Sequence, residues 1–335
     1  MSDFAPLLIK EELIINISNV FGIEKGHTAI DFVDVDLNKD TKLYVDPTLI
    51  EYDESSIGRE SHALINSYFD NVFDAIRMRD ISRLEDLSMH AHEPNETRLG
   101  MSRNRPMGRG SSPDILMGIY QDIMDQGLLD DGLIKAPADI VIIVENFGFD
   151  RMSDLVTNII KPALYRFTLE QCRMYEHHLG EKKFSLGYWW SPGAGTWGLV
   201  EGPSLMMNGK QLLLVPKQFV CKKMVKSPDE FFRQIIIPHL QEEHVVEDTS
   251  LVRRGVDAKG RQWTKPPYKQ DVWKYELKKG STKERIRAYV NRNFTVTPEY
   301  DAFTRYRVTN QEYSLSDEEL DRIIYGISWR EGCEA

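Results

Sequence analysis

The sequence predicts a helix-rich α/β fold: a mixed-sheet body over residues 1–222, followed by a helical, locally basic region over 223–335. Three observations carry this expectation. An unbroken apolar run, residues 140–144, ends in Glu145-Asn146, turns through Gly148 and enters a helix at Asp150. Runs rich in β-branched or aromatic residues at 41–47, 184–190 and 211–215 read as strands. Capping signatures headed by Ser227, Ser281 and Ser316, each with Glu three residues later, recur in the last third, and Thr297-Pro298 adds a fourth helix start.

Taken in order, residues 7–20 read as an amphipathic helix. The segment TKLYVDP reads as a short strand. Pro47 drives the preceding residue out of helical geometry, so the strand ends with Asp46 at its tip. A long helix is expected over 61–79, and residues 87–112 are polar, breaker-rich and without period. Ser112-Pro113 then opens a helix to about Gly127. After the strand expected at 138–144, the Asp150 helix should end or kink at Pro162, whose ring clashes with the carbonyl of Asn158, and resume to His177. A Gly/Pro-rich connection joins the strands at 184–190 and 211–215, with Asn208-Gly209 as a turn signal. Neither an internal repeat nor a low-complexity tract is present.

Composition is that of an ordinary globular chain, 41% hydrophobic and 28% charged in 335 residues. No apolar run approaches the ~18 residues of a membrane span. The N-terminus lacks a basic start and a small-residue cleavage site, and Cys172, Cys221 and Cys333 are far apart. A reduced, cytoplasmic protein is expected. The net charge of −10 conceals an asymmetry: residues 253–292 hold 13 Lys/Arg against 4 Asp/Glu, a local +9, leaving −19 elsewhere. Such polarity suits a polyanion, or a basic segment packed on its own acidic body.

Asp150, Asp154 and Asn158 recur at i, i+4 and i+8 and share one helical face. Asp46, Glu145 and Lys217 each follow a strand-like run. If those strands lay parallel, their ends would converge near Asp150 and Asp154. Asp46, Glu145, Asp150 and Asp154 are the candidate ligands of Mg2+ or Mn2+, which prefer oxygen donors, with Lys217 as the charge-stabilising cation. Asp46, Asp150, Asp154 and Lys217 form the candidate catalytic set. The plainer account makes Asp150 an N-cap, Asp46 a turn residue and Lys217 a strand-end charge. Asp154, inside the helix, has no such local explanation.

Arg98, Arg103, Arg105 and Arg109, interleaved with glycines before a helix start, are candidate phosphate contacts, although the P-loop order is absent. His90, His92, Glu93 and Glu96 have metal-ligating side chains but no distant third partner, and read as solvated loop residues. Trp263, Tyr268, Trp273, Tyr275 and Tyr289 alternate with Lys and Arg, a composition that suits nucleic acid or the core of a small helical unit.

LYVDPTLI, ETRLGMS…GRGSS, ENFGFDRMSDLVTNII and LLLVPK, over roughly residues 41–217, together resemble a bacterial family of mobile-element and antiviral-defence neighbourhoods. The resemblance implies a nucleic-acid-directed activity and assigns no site residue. The sequence is therefore read first as a divalent-metal-dependent nuclease or related phosphoryl-cleaving enzyme. The other readings are a non-catalytic nucleic-acid-binding or adaptor subunit of a defence complex, and a nucleotide sensor built on the Arg/Gly loop.

Overall fold

The computed structural model describes residues 16–23, 26–100, 113–207 and 209–326. The fold is helix-rich α/β. Among the described residues the named strands form separate two-stranded antiparallel ladders, and the one parallel pairing is an isolated bridge between Thr41 and Leu99. No helix among them is long and apolar enough to cross a membrane.

Most of the helix expected over 7–20 lies outside the described residues; its end is α1 (Ile17–Phe21), closed by Gly22 at φ +67°. The strand expected at 41–47 is β1 (Tyr44–Val45). Asp46 stands at its tip and caps α2 (Pro47–Glu51), accepting from the Thr48 amide at 2.7 Å. The long helix α3 (Ser56–Met78) starts earlier than the apolar period suggests because the Ser55 hydroxyl caps it, accepting from the Gly58 amide. Its buried Leu64, Ile65, Tyr68, Phe69, Val72, Phe73 and Ile76 follow helical spacing. Each such side chain contributes ~1.5–3 kcal/mol by leaving water. Then come α4 (Ile81–Ser88) and α5 (Pro113–Asp125), both packed on α3.

The strand expected at 138–144 is helical: α6 (Asp139–Ile143). The Asp139 carboxylate accepts from the amides of Lys135 (3.0 Å) and Ala136 (2.9 Å), fixing the turn from which the helix grows. All five residues of α6 are buried, so an apolar run this short carries no period to separate helix from strand. Next is α7 (Phe149–Ile159), with Gly148, not Asp150, at its N-cap. It breaks at Ile160, and Pro162 sits in the first turn of α8 (Lys161–Met174), as the sequence predicts; α8 stops three residues short of His177.

The Gly/Pro-rich connection carries more strand than expected. β2 (Phe184–Ser191) pairs with β3 (Thr196–Gly202), and β4 (Leu205–Met207) with β5 (Lys210–Leu212); of the expected Asn208-Gly209 turn, Gly209 adopts φ +74° and Asn208 lies outside the described residues. Residues 213–215 leave the strand to bond other segments: Leu213 donates to the Glu96 carbonyl and Leu214 to Thr168 Oγ1. β6 (Val220–Cys221) returns antiparallel to β1. Trp190 packs edge-on against Tyr68 and Trp197, and Tyr68 and Trp197 meet at a tilt, all at 5.1–5.7 Å, seating the β2–β3 hairpin on α3.

The C-terminal region is helical, with one exception. It comprises α9 (Pro228–Phe231), a π-helical turn at Phe232–Ile236 and α10 (Ile237–Val246), then the unpredicted hairpin of β7 (Arg253–Val256) and β8 (Gln262–Lys265). Helices α11 (Lys269–Leu277), α12 (Thr282–Val290), α13 (Val296–Thr309) and α14 (Asp317–Tyr325) follow. Ser227, Ser281 and Ser316 are N-caps as expected, the last two in complete capping boxes; α13 is capped at Thr295, not Thr297. One apolar core runs from Ile17 to Ile324 across residue 222, with α6 packed on α9 and α12.

Candidate functional site

Helix α7 is buried almost all round from Met152 to Ile159. Its polar residues Asp154 (7% exposed) and Asn158 (1%) are therefore inside the molecule. They face the loop of residues 89–100, since the Asn158 amide donates to the His92 carbonyl and to the Asp154 carbonyl. Lys161, one turn further on and equally buried, binds Glu96 Oε1 at 3.1 Å. The loop is pinned from its other side by Thr41, whose amide donates to the Arg98 carbonyl, and by Leu213, which donates to that of Glu96. Arg98 accepts a left-handed φ of +55° to make this bend, a costly conformation for a side chain of its size.

Three carboxylates meet here. Burial, then the charges of Asp150 and Glu93, push the Asp154 carboxyl up to about 8. Asp150 stands at the solvent-facing rim; partial burial raises its pKa and Arg151 opposes the rise. Burial and the carboxylates of Asp40 and Asp150 raise Glu93. Partial desolvation and the Lys161 ammonium lower the His92 pKa, against the pull of Glu96. Two buried acceptors, Asn158 Oδ1 and Glu96 Oε2, and one donor, Arg98 Nε, have no hydrogen-bond partner among the described residues. Oxygen donors in this number suit a hard cation. Among the described residues no three His, Cys, Asp or Glu side chains close around one ion. One or two carboxylates with water in the remaining positions is the usual Mg2+ arrangement.

The other candidates lie elsewhere. Asp46 is fully buried in a structural role: its carboxylate accepts from Val225 (2.6 Å) and Thr48 amides and from the Cys221 thiol, which offset the burial that raises its pKa. It is near α7 through the chain, because the Val45 amide donates to Ser153 Oγ, but its oxygens are used. Glu145 accepts from Ser281 Oγ on α12. Lys217, in a 3-10 turn rather than at a strand end, binds Asp317 of α14 at 2.8 Å and the His27 carbonyl. The convergence expected of parallel strand ends is absent because β1 pairs antiparallel and residues 139–143 are helix. Arg103, Arg105 and Arg109 lie outside the described residues. Glu93 and Glu96, read from the sequence as solvated loop residues, belong to this site, and Lys161 was missed, although it continues the 150, 154, 158 series at i+3 across the helix break.

Much of the basic charge in residues 253–292 is consumed internally. Arg285 and Lys279 bind the buried Glu276, Arg292 binds Glu243, Arg254 binds Asp248 and Arg261 binds Asp257. Lys283 donates to the carbonyls of Val144 and Phe147, and burial brings its pKa down to about 8. No curated protein and no solved structure matches the chain. The profile of a family described as a domain of unknown function, DUF8370, matches residues 22–227, well over half of the sequence and all of the α7–loop site, so the protein belongs to that family.

Proposed function

We propose that the α7 face and the 89–100 loop form a cation-dependent hydrolytic site that cleaves phosphodiesters of nucleic acid, with Asp154 and one neighbouring carboxylate, Asp150 or Glu93, as the cation-binding groups. The observation that carries this reading is Asp154: a buried acid facing two other acids, with no capping or pairing role among the described residues to explain it. Bound Mg2+ or Mn2+ would supply charge stabilisation at a phosphoryl group and a more acidic water. Without a cation, Asp154 holds a proton at neutral pH, so loading exchanges that proton for the ion. Asn158 fixes the loop against α7, and Lys161, held by Glu96, keeps positive charge beneath the site. The test is cleavage of DNA and RNA by wild type and Asp154→Asn, beside calorimetric titration of Mn2+ at pH 7 in buffers of different ionisation enthalpy. Binding with release of about one proton is expected in wild type alone; binding without proton release, or none, overturns the assignment.

A second reading, a non-catalytic nucleic-acid-binding or adaptor subunit of a defence complex, is favoured by the β7–β8 hairpin. There Arg253 lies over the exposed Tyr268 ring at 3.9 Å and Lys265 over Trp263 at 5.1 Å, cation–aromatic pairs of the kind that stack bases. Robust strand binding with no cleavage under any divalent cation selects it.

A further inference from the structure

The π-helical turn at Phe232–Ile236 has a local cause. Pro238 has no amide hydrogen to return to the Gln234 carbonyl, and its ring crowds that carbonyl, so the turn widens. The widened turn presents Arg233 and Gln234 towards the first turns of α11, and between them lies a groove of about 670 Å³. Its walls carry Arg233, Gln234, Lys269, Trp273 and Lys274, with Ile237 and Leu277 as apolar floor. This volume falls within the ~300–1,000 Å³ of small-molecule sites.

Three features together specify a ligand. First, the groove gathers three cations and no carboxylate among its described lining residues, in a region where several neighbouring Lys and Arg are paired with acids. Second, Arg233 lies over the Trp273 ring at 4.7 Å, and Trp273 is held edge-on by Phe232 at 5.1 Å, which makes a fixed planar platform. Third, α11 begins inside the groove at Lys269 and Gln270, whose two amides have no partner within the helix, and the dipole there favours an anion.

We infer that this groove binds a nucleoside polyphosphate, with the base stacked on the Arg233–Trp273 platform and the phosphates towards Lys269, Lys274 and the start of α11. The shared chemistry, a phosphate carried on a base, also occurs in a single strand, and the experiment separates the two sources. This inference is independent of the α7 site, which is read by cleavage and Mn2+ titration.

The test is calorimetric titration of the full-length protein with ATP, with inorganic triphosphate and with a short single-stranded DNA, at low salt where phosphate contacts are strongest. ATP is expected to bind, and the double variant Lys269→Glu/Lys274→Glu to weaken it at least tenfold. Lys278→Glu, at the C-cap of the same helix but outside the groove, should leave it within twofold. DNA binding lost in the same double variant, with ATP inert, would retain the groove and assign it to a strand. Triphosphate binding as tightly as ATP would remove the stacking platform and with it the inference. So would an undiminished affinity in the double variant, or no binding of either base-bearing ligand.

Discussion

Two aspartates with similar burial have opposite energetic signs. Asp46 receives two backbone amides and a thiol, so Asp46→Ala leaves buried donors unmade and removes a cap. A loss of about 2–3 kcal/mol is expected in chemical denaturation, above the ~1 kcal/mol of an exposed cap. Asp154 instead holds its proton until about pH 8, whereas an unfolded aspartate releases it near pH 4. Between those values the folded state binds more protons than the unfolded one. Stability therefore falls as pH rises from about 4 to 8, by on the order of 1.4 kcal/mol per pKa unit at most. Asp154→Asn should flatten this slope and raise the melting temperature at pH 8, and Mn2+ should do the same for wild type; an unaltered pH profile in the variant would show that Asp154 is not the group responsible. The shared face of Asp150, Asp154 and Asn158 was legible because helical period is a property of the sequence. Glu93 was not, because only the fold brings its loop to that face.

At the scale of elements, the sequence announces helices by their caps more clearly than by their interiors. Ser281 and Ser316 close complete capping boxes where the Ser-x-x-Glu pattern places them. The run at 140–144 was misread as strand because every residue in it is apolar, and the decisive group, Asp139, lies just before it. Asp139 also anchors α6 to the C-terminal helices. Lys226 binds it at 2.9 Å and Asp301 of α13 at 2.7 Å; burial works against the ammonium, but the two carboxylates outweigh it and raise its pKa. Lys226→Ala should cost about 3–5 kcal/mol, because it strands a buried carboxylate. Lys226→Met together with Asp139→Asn should recover part of that loss, and a double variant destabilised by the sum of its two single variants would show the pair to be uncoupled.

For the whole molecule, the charge asymmetry read from the sequence is partly turned inward. Arg292 and Lys283 engage acidic or carbonyl groups of other elements, which composition alone could not reveal. The family match ends at residue 227, yet the core does not: Phe232, Val272, Tyr289 and Tyr300 continue it. A fragment of residues 22–227 should therefore lack a cooperative thermal transition, and a sharp transition at the full-length melting temperature would show that the C-terminal helices are dispensable. The same closure shapes the order of events during synthesis. His27 is buried between Asp321 and the Asp34 amide, and Tyr325 reaches Asp34, so the earliest described residues are completed by groups made 294 and 291 residues later. At ~5–20 residues per second a ribosome leaves the His27 segment waiting roughly 15–60 s for its partner. Pulse proteolysis of stalled nascent chains should find that segment cleavable until α14 has emerged, so the His27 segment settles only after nearly all the other described elements have been made.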